Sequence, residues 1–475
     1  MIDDKRMLFE RFLDEQKHFE EVKKDDPELF IQQDQTASQE VLERIGIFLP
    51  SKDLPLGYLK YHPFDFIVEE IQSSGTLCTA ETSSFPYEKN TSDPTIYADL
   101  VKVGIATIEA TRELAKFLDI DEKSIGYAGI KDAFALTSQR ISIRGISPEA
   151  LQKIPNTHFF LKNITTGKGV VTTGQLQGNK FTILVRTEYE TSEQDINQKV
   201  HELEKNGFWN FFWLQRFGNR LLTHMWGLYL FQGDYEGALR SYLCESGPRD
   251  LPYFQHLRQE AEKQYGNWDA LEKLFSLLPY SFRYELTLIR HLQKNPKDIL
   301  GALNTIPDQI KLWAYAYSSY LFNRILSQCA SGVRQCETTL PVVLSYKKTE
   351  QALYKPFFDS DEVPENFAEN LRPFPTIRLA SRGIDTRIKP FIHTVKNIPE
   401  GVAISFDLKK GAYATTFLAH LFTLTGGLPL PEWLQTTDIN TKEILGNGSL
   451  QEIREKLSPY IVLQKKETGE ESGSF

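Results

Sequence analysis

Apolar residues along this chain change period several times, and each change predicts a change of backbone. In "HPFDFIVEEI" the residues Phe64, Phe66 and Val68 fall on one side and Asp65 and Glu69 on the other, the period of two expected of a strand. In "ATIEATRELAKFLDI" the residues Ala110, Leu114, Phe117 and Leu118 share a side at helical spacing. The period of two returns in "RISIR", where Ile141 and Ile143 oppose Arg140, Ser142 and Arg144. It returns again in "GNKFTILVRTEYE", where Phe181, Ile183 and Val185 are in register. Residues 221–330 are leucine-rich, aromatic and helical in character, and a loop-rich stretch runs to about 374. Strand pattern then reappears in "GVAISFDLKK", and "AYATTFLAHLFTL" predicts a helix after it. The pattern is that of a strand-and-helix domain interrupted by a helical one.

The first 45 residues predict a charged helical arm in which Leu8, Phe12, Leu13 and Phe19 form a docking stripe. "LPSKDLPLGY", with two prolines and a glycine, marks its boundary. The tail "KKETGEESGSF" has the composition of a disordered segment. At 475 residues the chain has room for two or three compact units, and 41% hydrophobic content supplies their cores. A net charge of −9 argues against a nucleic-acid partner until its distribution is read: residues 1–53 carry −6 of it, leaving a nearly neutral body. Cys78, Cys244, Cys329 and Cys336 are scattered, with no zinc-ligand spacing, which predicts a reducing compartment and no structural metal. The N-terminus is too charged for a signal peptide and no window reaches about 18 consecutive apolar residues, so a cytoplasmic protein without a membrane span is expected.

Candidate chemistry gathers at a few short segments. "YAGIKDAFALTSQ" brings Asp132 to the rim of a turn between two apolar runs, with Gly129 permitting a sharp bend. An aspartate there caps the segment after it, the commoner use, or serves as a nucleophile that needs no activating base at neutral pH. "GNKF" sets Asn179 and Phe181 at the start of a strand, an amide and a ring suited either to a planar substrate or to a turn and a core. "NFFWLQRFGNR" interleaves aromatic residues with Gln215 and Arg216, which suits nucleobase stacking and phosphate contact or a packed interface. "LRPFPTIRLASRGIDTRIK" carries Arg372, Arg378, Arg382, Arg387 and Lys389 against one acid, Asp385, a phosphate-binding strip or a solvated loop. The glycine-rich "TTGKGVVTTGQLQGNK" fits no nucleotide-binding fingerprint and reads as a hairpin or flexible loop.

Taken in order, "LKYHPFDFIVEEI", "YAGIKDAFALTSQRISI", "GNKFTILVR", "NFFWLQRFG", "AYAYSSYLFNRILS" and "KGAYATTFLAHLF" resemble the successive signatures of the TruD family of pseudouridine synthases. The resemblance implies an α+β fold: a catalytic domain with a central, mostly antiparallel mixed sheet flanked by helices, and an inserted, mainly helical TRUD domain. On this chain that reads as an N-terminal extension over 1–53, catalytic segments over 54–208 and 375–435, an insert over 209–374 and a C-terminal extension over 436–475. It implies an RNA isomerase that flips a specific uridine, most often of tRNA, and converts it to pseudouridine with no metal, nucleotide or redox cofactor, working as a monomer. Asp132 is then the nucleophile, attacking base or sugar. Lys60 supplies a cation beside it, Asn179 holds the base or the aspartate, and Phe181 stacks on the base. Lys131 is the poorer source of that cation, because neighbouring residues of an extended segment point to opposite sides. Gln215, Arg216, Arg140, Arg378 and Arg382 are the candidate RNA contacts. A second reading keeps the scaffold without the chemistry, as an RNA-binding or RNA-folding protein. Its motive is Ala133 and Phe134, which stand after Asp132 where family members commonly carry polar or basic residues, and Trp213 and Leu214, which replace a small glycine-containing pair in "NFFWLQRFG".

Overall fold

The computed structural model describes residues 2–49, 53–85, 93–151, 154–155, 157–189, 191–344, 347–380 and 382–461, with side chains from residue 11 onward. The tail expected to be disordered and the side chain of Leu8 lie outside the described residues. The chain divides into two compact units, one from residues 52–210 and 387–475, the other from 1–51 and 211–386.

The first unit is built on a ten-stranded sheet. Its strands are Leu56–Leu59 (β1), Phe66–Gln72 (β2), Thr95–Lys102 (β3), Ile125–Tyr127 (β4), Leu136–Arg144 (β5), Phe159–Gly167 (β6), Leu176–Thr187 (β7), Phe391–Ile398 (β8), Gly401–Lys409 (β9) and Thr423–Gly426 (β10). The main path runs β8-β9-β7-β2-β5-β3-β6, with β1 joined to β7 and β10, and β4 to β5. Only β2–β5 and β1–β10 pair in parallel; the other pairs are antiparallel. β7 is an interior strand between β2 and β9, and its residues 181–187 are all buried.

Both faces of the sheet are covered, and this changes the reading of its polar residues. On one side Ile96, Leu100, Ile141 and Ile143 pack with Ala110 and Leu114 of the helix Thr107–Leu118. On the other Ile67, Val101 and Leu136 pack with Leu450, Ile453 and Leu457, the last two from the helix Gln451–Leu457. Asp65 and Glu69, expected on an outer polar face, are therefore buried, and each is neutralised. Asp65 accepts from Arg186 at 2.8 and 3.0 Å, and Glu69 accepts from Lys442 at 2.6 Å. Arg186 also donates to the carbonyls of Gln435 and Thr437, tying the C-terminal segment to the sheet, so 436–461 is integral to this unit rather than an appendage. Asp65→Ala would leave the guanidinium buried without its partner, and a destabilisation of about 3–5 kcal/mol is expected in urea unfolding.

Two local expectations are corrected. The "AYATTFLAHLFTL" segment is helical only over Ala414–Leu418 and then becomes β10, whose Thr423–Gly426 align with Leu56–Leu59. Tertiary pairing overrides helical spacing there, and Thr423 N donates to Pro55 O. The glycine-rich segment is no hairpin, because β6 and β7 are not neighbours in the sheet. Its connection is pinned: Val171 N donates to Ser142 Oγ at 2.9 Å and Gly174 N to Ala128 O at 2.7 Å. It lies so close to β4 that a Cβ on Gly126 would stand 2.3 Å from Val171 O.

The second unit is helical around Pro307–Ala330, whose buried residues from Ile310 to Cys329 include the polar Ser318, Ser319, Asn323 and Ser327 as well as apolar side chains. The N-terminal helix Ile2–Asp25 belongs to this unit rather than standing apart. Glu15 is buried and accepts from Tyr280 N and Ser281 N at 3.0 and 2.9 Å, while Phe12 and Phe19 pack on Tyr280 and Tyr253. Leu13, expected in the same stripe, faces solvent. The unit extends to 386 because Gly383–Asp385 pairs with Thr339–Pro341.

Candidate active site

The loop 128–135 leaves β4 and returns as β5, and its main chain is held from several sides. Gln139 Nε2 donates to Gly129 O at 3.0 Å, and Thr107 Oγ1 accepts from Lys131 N at 2.8 Å. Thr107 in turn donates to Gln139 Oε1 at 2.9 Å, so one strand and one helix N-terminus clamp the loop together. Behind it lies Lys102, at the end of β3 and fully buried. Both hydrogen bonds recorded for its ammonium go to main-chain carbonyls, Asp132 O and Ile105 O, each at 2.7 Å. Burial pushes Lys102 down to about 8, and the nearby Asp132 charge only partly counteracts it.

Asp132 stands at the rim with 35% of its side chain exposed. One carboxylate oxygen accepts from Phe134 N at 2.9 Å, the local cap that a turn aspartate commonly makes. The other meets Lys60 Nζ in a direct ion pair. The two readings of this aspartate are therefore not exclusive: the cap orients a carboxylate whose second oxygen is engaged by a cation. Burial acts to raise its pKa, but the Lys60 charge and hydrogen bond, the Phe134 amide and the Lys102 charge outweigh it and hold the carboxyl below its ordinary range. Lys60 follows β1 with φ +61, in the left-handed region that a residue with a Cβ rarely enters. This bend costs on the order of 1 kcal/mol and is found where side-chain aim outweighs backbone ease. Lys60 Nζ also lies 4.6 Å from the centroid of the Phe66 ring.

Lys131 turns the other way. Its ammonium is buried, 3.0 Å from Glu70 Oε2, and donates to Asn179 Oδ1 at 2.6 Å. Glu70 and Asn179 face each other across β2 and β7, so the sheet register itself builds this trio. Burial raises the pKa of Glu70, and Lys131 opposes that shift. Asn179 thus touches the loop of the aspartate through Lys131. Phe181, two residues along β7, is 6% exposed and lies between Phe406, stacked at 5.3 Å, and Phe66 at 6.3 Å. One of its faces is already taken by Phe406, so the ring is more a part of the core than the open platform the sequence suggested.

Other expected contacts fall elsewhere. Arg140 is committed within the sheet, donating to Asp99 at 2.9 Å, to Asn163 O at 2.8 Å and to Thr165 Oγ1 at 2.5 Å. Gln215 and Arg216 belong to a short turn of the helical unit; Gln215 is exposed and Arg216 lies over the Phe212 ring at 5.2 Å. The basic strip is divided between the units: Arg378 and Arg382 are exposed on one, while Arg387 packs over Trp209 in the other at 3.8 Å. Sequence reasoning missed Lys102, Glu70, Thr107 and Gln139. A lysine closing an alternating strand reads as solvent-facing, and only the covered sheet makes it a buried donor.

The family model described as tRNA pseudouridine synthase D (TruD) matches residues 47–352. The chain belongs to the TruD family. Among its relatives, a "Probable tRNA pseudouridine synthase D" of Methanococcus aeolicus is 29% identical over 401 residues, covering 77% of this chain and 96% of that one. Another so named, from Methanopyrus kandleri, is 30% identical over 338 residues, covering 67% of this chain and 83% of its own. The crystal structure of the Methanosarcina mazei TruD protein superposes with a TM-score of 0.62 at 24% identity, over 81% of this chain and 98% of that one, which shows the shared fold. The TruD match spans the Asp132 loop, Lys60, the Glu70–Lys131–Asn179 trio and Phe181.

Proposed function

We propose that this TruD enzyme isomerises a uridine of tRNA to pseudouridine, with Asp132 as its nucleophile. The observation that carries the reading is the ion pair of Lys60 with the rim-exposed Asp132 carboxylate. Lys60 keeps the carboxylate ionised, and the Phe134 amide sets its direction. In the reaction the bond from ribose to uracil N1 breaks, the ring turns and a bond to C5 replaces it; the C5 hydrogen leaves as a proton and N1 takes one up. Extracting the uridine from its stack costs a few kcal/mol, which contacts to the flipped nucleotide must offset. The proposed role of Asn179, whose Oδ1 accepts from Lys131, is to orient that nucleotide, and that of the largely buried Phe181 is an apolar floor rather than a free-standing stacking partner. Exposed Gln215, Arg378 and Arg382 remain candidates for the RNA backbone, whereas the bound Arg140 serves the sheet. A tRNA substrate and four cysteines in the free thiol form suit the cytoplasm.

The test uses tRNA labelled with tritium at uracil C5. Wild-type protein should release the label, and pseudouridine should appear at the same position. Binding of that RNA with no tritium release would instead establish the non-catalytic RNA-binding reading.

A further inference from the structure

We infer that Ile130 is a wedge that enters the base stack of the RNA beside the target uridine. The inference rests on the RNA-isomerase reading and assigns a role in flipping that the nucleophile and its partners do not fill.

Four observations place it. Ile130 is 64% exposed, an aliphatic side chain two residues from Asp132 that buries little against the protein. The residues of the loop alternate: Ile130 exposed, Lys131 buried on Glu70 and Asn179, Asp132 at the rim, so Ile130 and Asp132 share the outward side. The main chain on both sides of Ile130 is clamped, through Gly129 O to Gln139 and through Lys131 N to Thr107. A Cβ on Gly129 would meet nothing within 4 Å, so the approach to the loop is open.

An exposed aliphatic side chain on a mobile loop would merely swing in water. On a clamped loop it is a fixed apolar projection, the property of side chains that separate stacked bases. Two residues of chain reach at most about 7 Å. That is about two stacking steps of 3.4 Å along a strand. Ile130 thus stands within about two stacking steps of Asp132, and the wedge reading takes the gap left by the flipped uridine to open on that side. Filling it recovers apolar contact that an empty gap would lack, and retards return of the base.

The experiment compares wild type, Ile130→Ser and Ile130→Leu in single-turnover tritium release. Two RNAs are used: one with the mapped target uridine in an intact strand, and one with an abasic nucleotide beside it, where little stacking has to be broken. Ile130→Ser should slow release from the intact RNA by about tenfold and leave the abasic-flanked RNA within about twofold of wild type, with Ile130→Leu near wild type on both. The thermal midpoint of Ile130→Ser should match wild type, since the side chain is exposed. Wild-type rates for Ile130→Ser on the intact RNA, or equal losses on both RNAs, would overturn the wedge. Binding gives an independent readout: 2-aminopurine next to the uridine should brighten with the Asp132→Asn protein and stay dim when Ile130→Ser is added. If the wild type releases no tritium from any RNA, the isomerase reading fails, and the fluorescence still decides whether Ile130 unstacks the strand.

Discussion

Asp132→Asn is expected to lower turnover at least about 10³-fold while leaving RNA affinity within about threefold of wild type. The substitution preserves shape and the acceptor for Phe134 N, so the loop keeps its cap. It removes the negative charge that Lys60 engages, and with it the proposed nucleophile. Single-turnover tritium release and a filter-binding isotherm measure the two halves. Undiminished release from Asp132→Asn would assign the chemistry to another residue. The same geometry sets the acid side of the pH profile. Because the folded carboxyl lies below its ordinary range, near 3.9 in peptides, the carboxylate stays charged through mildly acidic pH. Its contribution to stability is present above the unfolded pKa and is lost as pH falls through the lower folded value. Lys60→Met should move the acid limb of kcat upward toward the ordinary carboxylate range.

Lys102→Met is expected to separate activity from stability. Methionine nearly fills the volume of the lysine stem, and deleting a buried charge offsets part of the cost of leaving two carbonyls unpaired. The urea midpoint should therefore move little, by the equivalent of about 1–2 kcal/mol. Turnover should fall by about 10²-fold, because the carbonyl of Asp132 loses its anchor and a displacement of about 1 Å is enough for such a loss. A wild-type kcat in Lys102→Met would show that the lysine only supports the fold.

The pH dependence of Lys102 has opposite signs for stability and for activity. With the folded pKa lowered to about 8 from the ordinary lysine value of 10.5, the native state releases this proton first as pH rises. Between those values the unfolded chain binds more protons, so the contribution to stability grows with pH. Activity should decline over the same interval, as the positive charge behind Asp132 is lost. Lys102→Arg keeps its charge and should carry the basic limb of kcat upward, while the urea midpoint loses its rise between pH 8 and 10.5.

Much of the fold was legible because it depends on local spacing. The alternation of Ile141 and Ile143, and of Phe181, Ile183 and Val185, belongs to strands whose neighbours need not be known. The same locality misled beyond Leu418, where the helix stops and pairing with Leu56–Leu59 takes Thr423–Gly426 into a strand. The candidate site divides in a similar way. Asp132 and Lys60 are separated by 72 residues and were linked only by the order of family signatures. Arg140 was expected outside because its strand neighbours alternate, yet β3 and β6 supply Asp99 and Asn163 around it.

By itself the sequence determined most of the succession of elements, the interruption of one compact unit by another, and the turn at whose rim Asp132 sits. These follow from periodicity and short motifs, which are properties of neighbours along the chain. The tertiary structure decided the charge environment: that Lys131 is held by Glu70 and Asn179, that Lys102 lies buried behind Asp132, and that Phe181 is largely enclosed. The reason is that ion pairing and burial depend on which strands become neighbours in the sheet. Distance in space sets electrostatic strength, and the sheet order, not the chain order, sets that distance.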